Sequence, residues 1–208
     1  MDIVDALNWR YAVREFSNEV IGESELKQLL TATRLSASSY GLQPYHLMVI
    51  KSAEIKHQLQ KYSLGQDKVA HCSHLVVFTA RKNIGDETAD RYIDKFSRTR
   101  ELSLDSLKSF SDHLKAALSA MTEQKKQEWA HQQAYIALGT FLTCAAVMKI
   151  DTCPMTGIET EGYDAVLGLA NLHLTTTAVC PIGKRHPDDS EANRIKVRFD
   201  HDEIITTL

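Results

Sequence analysis

The chain has no Cys-x-x-Cys pair, no Gly-x-Gly-x-x-Gly run, no apolar stretch long enough to cross a bilayer, and no surplus of positive charge. Each absence removes a class of function. The cysteines, Cys72, Cys144, Cys153 and Cys180, are scattered, so a zinc ribbon or disulfide framework is excluded and free thiols in a reducing cytoplasm are expected. His71-Cys72-Ser73-His74 brings soft ligands together, but no second pair stands at zinc-site spacing; packing or surface histidines are expected there, and no metal. Without the glycine fingerprint a Rossmann nicotinamide site is excluded. The most apolar stretch, Ala134 to Ile150, is interrupted by Thr140, Thr143 and Lys149 and is shorter than the roughly 20 residues of a membrane span, so no membrane partner is expected. Lys and Arg number 24 against 27 Asp and Glu, a net charge of −3. Nothing chain-wide attracts nucleic acid, and any basic site must be local. No charged segment followed by an apolar one opens the chain, so export is not expected and a cytoplasmic location is.

What is present fits one mixed domain over 1–208: the chain is 43% hydrophobic, enough for a full core. Apolar spacing predicts short helices over Asp2 to Arg10, with Ile3, Ala6 and Leu7 on one face, and over Ser24 to Ser36, with Leu26, Leu29, Leu30 and Thr33 in register. Strands are predicted at Leu47 to Ile50, Leu75 to Phe78 and Ala178 to Gly183. Pro181 in the last argues for an edge strand or a bulge. A helix is predicted over Ala53 to Lys61. Thr88 to Arg98 and Leu104 to Ala120 are polar and amphipathic, and form a peripheral helical excursion at about 84–121. Tyr92 and Phe110 within it fit either packing or a lid. Gly157, Glu159, Glu161 and Gly162 read as a polar loop.

The longest helical segment, Thr122 to Met148, is unusual. Tyr135, Leu138, Leu142 and Ala145 form one stripe, and Ile136, Thr140, Thr143 and Val147 another. A surface helix shows a single apolar stripe about 100° wide. This one is apolar or small nearly all round, so burial on all sides is expected, most simply at a subunit interface.

Two cationic segments stand at opposite ends. Arg10-Tyr11-Ala12-Val13-Arg14-Glu15-Phe16 and Asn193-Arg194-Ile195-Lys196-Val197-Arg198-Phe199 interleave cations with apolar residues that can anchor the backbone. If the fold brings the ends together, Arg10, Arg14, Lys196 and Arg198 surround one site suited to a phosphate, because guanidinium forks and an ammonium make charge-assisted hydrogen bonds to its oxygens.

Taken in order, further segments complete a pattern: Ser36-Ala37-Ser38-Ser39-Tyr40-Gly41-Leu42-Gln43-Pro44, Gln66-Asp67-Lys68 just before His74 to Phe78, Trp129 to Tyr135 opening the long helix, and Pro154-Met155-Thr156-Gly157-Ile158. With the two terminal segments, these resemble the FMN-dependent nitroreductases, and within them the oxygen-insensitive NAD(P)H nitroreductase and flavin reductase group. The resemblance covers nearly the whole chain. It implies a nitroreductase-like α+β fold: a central, mostly antiparallel sheet flanked by helices, with a long buried central helix at a dimer interface.

The resemblance also implies roles. Arg10, Lys196 and Arg198 would hold the FMN phosphate, with Tyr11 and Ala12 beside them. Arg14 and Lys68 would sit near flavin N1 and the C2 carbonyl, and Gln66 at the pyrimidine edge. The backbone around Thr156 and Gly157 would face N5, with Pro154 and Met155 also contacting the cofactor. Ser38, Ser39 and Gln133 would complete the site from the second subunit of a homodimer with shared active sites, and Gly41 would also contact the cofactor. NADH or NADPH would reduce the flavin in a ping-pong cycle, and small planar acceptors (nitroaromatics, quinones or free flavin) would reoxidise it. The flavin carries the hydride, so no catalytic side chain is assigned. Three positions depart from the family pattern: Ala12 stands for a Ser, Gly41 for an Asn and Thr156 for a Glu. The alternatives are a specialised reductase of the same fold, acting on dihydropteridines or enones, and a non-enzymatic flavin-binding protein.

Overall fold

A computed structural model describes residues 2–208. The elements run α1 (Ile3–Trp9), α2 (Glu23–Arg34), β1 (Tyr45–Ile50), α3 (Ala53–Gln60), α4 (Asp67–His71), β2 (His74–Arg81), α5 (Asp86–Arg100), α6 (Lys108–Ser119), α7 (Glu123–Val147), β3 (Asp151–Thr152), α8 (Thr160–Val166), β4 (Leu174–Gly183) and α9 (His201–Ile204). The sheet has the order β1-β2-β4-β3, with every pairing antiparallel.

β2 and β4 are central and covered on both faces. They therefore read as continuous apolar runs rather than alternating ones. Successive side chains point to opposite faces. Val76 and Phe78 join Leu29 of α2 and Phe141 of α7 in one cluster. Leu75 and Val77 join Leu59 of α3, Val69 of α4 and Tyr163 of α8 in another. The Phe78 and Phe141 rings meet edge-on, with centroids 5.4 Å apart. That geometry adds about 0.5–1.5 kcal/mol to what their burial contributes. A third cluster lies under α5 and α6, around Ile93, Leu114 and Leu118.

Two expectations are corrected. Pro181 marks neither an edge strand nor the bulge. β4 is an inner strand, and the register slips between Phe78 and Thr79, so that Thr177 is the unpaired residue. The carbonyl of Pro181 accepts from Cys153 N at 3.0 Å. In an antiparallel strand a residue's N–H and C=O point the same way. The missing donor therefore falls on the side where the partner, β3, is only two residues long. Gly162 lies not in a polar loop but inside α8. A Cβ there would stand 2.1 Å from the Tyr62 ring, so glycine is what allows this helix to pack so closely.

α7 is capped by the Thr122 hydroxyl, which accepts from Lys125 N at 3.3 Å. Ala130, Gln133, Ala134, Ala137, Leu138, Phe141 and Ala145 form its buried side. Tyr135, Ile136 and Val147 remain 44–46% exposed on the other. Burial on all sides thus requires something beyond one copy of this chain.

Candidate functional site

The two ends meet. Asn8 to Ala12 and Arg14 line a cavity of about 320 Å³ together with Glu191, Ala192 and Arg194 to Arg198. The packing follows from local physics. The last carbonyls of α1 lack intrahelical partners, and cationic side chains satisfy such groups. Here Lys196 Nζ donates to the carbonyls of Leu7 and Arg10. Two of its three protons are thereby placed, leaving one for a ligand.

A residue that sequence reasoning missed fixes the second tie. Asp189, buried among loops, accepts from Arg14 N (2.7 Å), Glu15 N (3.0 Å) and Glu191 N (2.8 Å). Burial pushes its carboxyl up, but these backbone N–H bonds outweigh that and hold its pKa below the usual carboxylate range. Only an aspartate joined to the first cationic segment by its backbone contacts could have been expected here, and no spacing rule marks it. Beside it the Tyr11 phenol is pushed up to about 12, mainly by burial, so it stays neutral. Ala12 sits in a bridge to Thr152.

The cavity is short of negative charge. Arg10 has its pKa lowered, first by burial and then by Arg198. Lys196 is lowered by burial, then by Arg10 and Arg198. Arg10 Nε is buried and, among the described residues, has no hydrogen-bond partner. An orphaned buried donor costs about 1–3 kcal/mol. A phosphate would satisfy it and relieve the mutual repulsion, so these residues fit the phosphate of FMN.

Arg14 also lines a second cavity, of about 620 Å³, with Asp67, Lys68, His71 and His186. Lys68 is only 6% exposed, and no described ion pair includes it. Glu15 and Asp67 also line this cavity, but a buried ammonium that makes no described ion pair fits an electron-rich ring edge. Gln66, the residue before α4, donates from Nε2 to Ser63 O at 3.0 Å and lines neither of these two cavities. Ser63 also meets the Tyr163 hydroxyl at 2.6 Å, and Tyr62 O accepts from Glu159 N at 2.8 Å. These bonds tie the Gln66–Lys68 turn to the segment leaving Gly157.

Pro154 to Gly157 follow β3. Met155 bridges Val179 by two backbone bonds, while Thr156 and Gly157 are exposed and line neither cavity. Ser38, Ser39, Gly41 and Gln133 gather elsewhere in the chain. Ser39 N donates to Gln133 Oε1 at 2.8 Å, and Ser38 Oγ accepts from Gln43 N at 3.2 Å. Gly41 has φ +74°, and a Cβ on it would lie 2.7 Å from Tyr92 Oη. The departure at Gly41 thus accompanies a tyrosine that fills the space. Tyr92 in turn packs with Phe96 and Phe110.

The family model described as "Nitroreductase family" matches residues 7–184. A Staphylococcus saprophyticus protein with the provisional name NAD(P)H nitroreductase is 32% identical, over 99% of this chain and 96% of its own length. A solved structure from Bacillus subtilis, provisionally named a nitroreductase, superposes with a TM-score of 0.88 at 21% identity, covering 99% of this chain and 98% of that one. Another, from Exiguobacterium sibiricum in complex with FMN, gives 0.84 at 17% identity over 100% and 98%.

Proposed function

The chain belongs to the nitroreductase family, and from that premise we propose that it is an NAD(P)H-dependent FMN oxidoreductase working as a homodimer. The carrying observation is the anion-poor cavity where Arg10, Arg14, Lys196 and Arg198 converge from the two ends of the chain. When bound, FMN supplies two-electron chemistry, accepting hydride at N5 and passing electron pairs to a planar acceptor. The chain's residues bind, orient and polarise. Arg10 and Arg198 hold the phosphate. Lys196 fixes the C-terminal segment and adds a third cation. Arg14 and Lys68 stand by the ring edge that gains negative charge on reduction. A cation about 4 Å from a unit charge is worth roughly 4 kcal/mol at an effective dielectric of ~20. That would raise a two-electron potential by up to roughly 90 mV.

What the chain leaves uncovered supports the dimer. Tyr135, Ile136 and Val147 of α7 are exposed, as are Ile195, Val197 and Phe199. A second copy would cover these side chains and bring its Ser38, Ser39 and Gln133 cluster to the flavin. The test is direct. Purified protein should show flavin absorbance and release FMN on denaturation, and anaerobic NADH or NADPH should bleach it. A colourless protein that takes up no FMN would end this reading.

A further inference from the structure

A third cavity, of about 590 Å³, is lined by Arg34 at the end of α2, Arg81 at the end of β2, and Arg91, Lys95 and Arg98 of α5. Its lining includes no aspartate or glutamate among the described residues. In a chain whose net charge is −3, this is a concentrated positive field. Arg91, Lys95 and Arg98 stand at i, i+4 and i+7, on one face of the helix. Like charges at that spacing destabilise a helix unless something answers them. Among the described ion pairs only Arg98 has a partner, Asp94, at 3.9 Å. Arg81 Nε is buried and, among the described residues, has no hydrogen-bond partner. The Arg81 pKa is lowered by burial and then by Arg91.

A solvated charge stripe accounts for the exposed α5 residues but not for a buried guanidinium donor facing no acceptor. The same lining includes Leu42, Tyr45, Leu47 and Tyr92, which add apolar and aromatic surface beside the cations. Cations together with aromatic and apolar side chains in one hollow suit a nucleotide phosphate, and the volume is that of a small-molecule site. The lining also includes Gly41, two residues beyond Ser39, in the segment assigned to the flavin.

We propose that this cavity binds a phosphate-bearing nucleotide and that its occupant is the 2′-phosphoadenosine end of NADPH, so that the enzyme prefers NADPH to NADH. The assignment to NADPH rests on the oxidoreductase reading above, whereas the anion site itself does not. Arg34, Arg81, Arg91, Lys95 and Arg98 would grip the 2′-phosphate while Tyr92 and Leu47 border the adenosine.

The FMN-loaded protein is titrated calorimetrically with 2′,5′-ADP, 5′-AMP and inorganic phosphate. The same titrations are run on Arg91→Gln/Lys95→Gln, whose side chains are exposed and whose replacements keep helix propensity. Wild type should bind 2′,5′-ADP more tightly than 5′-AMP. Each cation removed should weaken 2′,5′-ADP on the order of tenfold, the usual effect of losing one charged hydrogen bond. Anaerobic flavin reduction should show the concentration dependence for NADPH rising in the same ratio while that for NADH stays put. Equal 2′,5′-ADP affinity in wild type and variant overturns the site. Binding of inorganic phosphate without 2′,5′-ADP overturns the nucleotide assignment. A flavin that neither nicotinamide reduces overturns the oxidoreductase reading and the NADPH assignment with it, while the titrations still decide the anion site.

Discussion

Lys196 reaches back across 186 residues to donate to the main-chain carbonyl of Arg10. One side chain thus closes the molecule and assembles the cationic cavity. Lys196 and Arg198 differ in consequence: Lys196 is a tie as well as a proposed phosphate ligand, whereas among the described residues Arg198 makes its only side-chain hydrogen bond within its own segment, to Val197 O at 2.6 Å.

Replacing Lys196 by Met should therefore do two things. FMN occupancy should fall about tenfold or more, and the segment after Asp189 should become sensitive to limited proteolysis as about 1–3 kcal/mol of carbonyl bonding is lost. Arg198→Ala should lower FMN occupancy without the proteolytic change. Unaltered flavin content in both Arg10→Ala and Arg198→Ala would remove the phosphate role from this cavity.

The lowered pKa of Lys196 gives a pH test. Only the ammonium attracts a phosphate, and a bound dianion pulls the pKa back up. Binding is therefore coupled to proton uptake between the lowered value and the bound one. FMN affinity should be full below the lowered pKa and fall as the solution is raised through it. Riboflavin, which lacks the phosphate, controls for titration of the ring, so the difference between the two ligands isolates the effect. A pH-independent difference would contradict it.

Asp189→Ala leaves the N–H groups of Arg14, Glu15 and Glu191 without their acceptor. A loss of about 1–3 kcal/mol is expected in urea unfolding, together with weaker FMN retention. The pKa of Asp189 is depressed in the folded protein, so its stabilisation is full above the ordinary value of 3.8 and is lost as the pH falls through the folded value. Wild type and variant should converge in stability at low pH.

Phe141→Ala removes the edge-on partner of Phe78 and opens a cavity between α7 and the sheet. A destabilisation of about 3–5 kcal/mol is expected from thermal or denaturant melts.

Ile136→Asp places a charge on the exposed side of α7 without touching its buried side. Light scattering should show a monomer, and flavin should be lost with the dimer, because the site is proposed to be shared. A dimer that persists with full FMN would place the interface elsewhere.

Much of the fold was legible because it is periodic. α2 and α7 follow helical spacing, and the apolar runs of β2 and β4 mark buried strands. β3 escaped because two residues carry no period, and the bulge at Thr177 because register is settled between strands rather than within one. Gly162 looked like loop punctuation because its reason, the face of the Tyr62 ring, comes from a distant part of the chain. The cationic ends could be read because each is a local cluster. Asp189 and the Arg81 cavity could not, because their members lie on separate elements and are ordinary one at a time.

The sequence by itself determined the elements, the layers they build and the charges at each end, since local pattern dictates which faces leave water. Only the tertiary structure decided that Lys196 spends two protons on α1, that Asp189 binds two loops together and that five cations share one hollow. Those outcomes depend on distances between segments remote along the chain, and it is packing of the core that sets such distances.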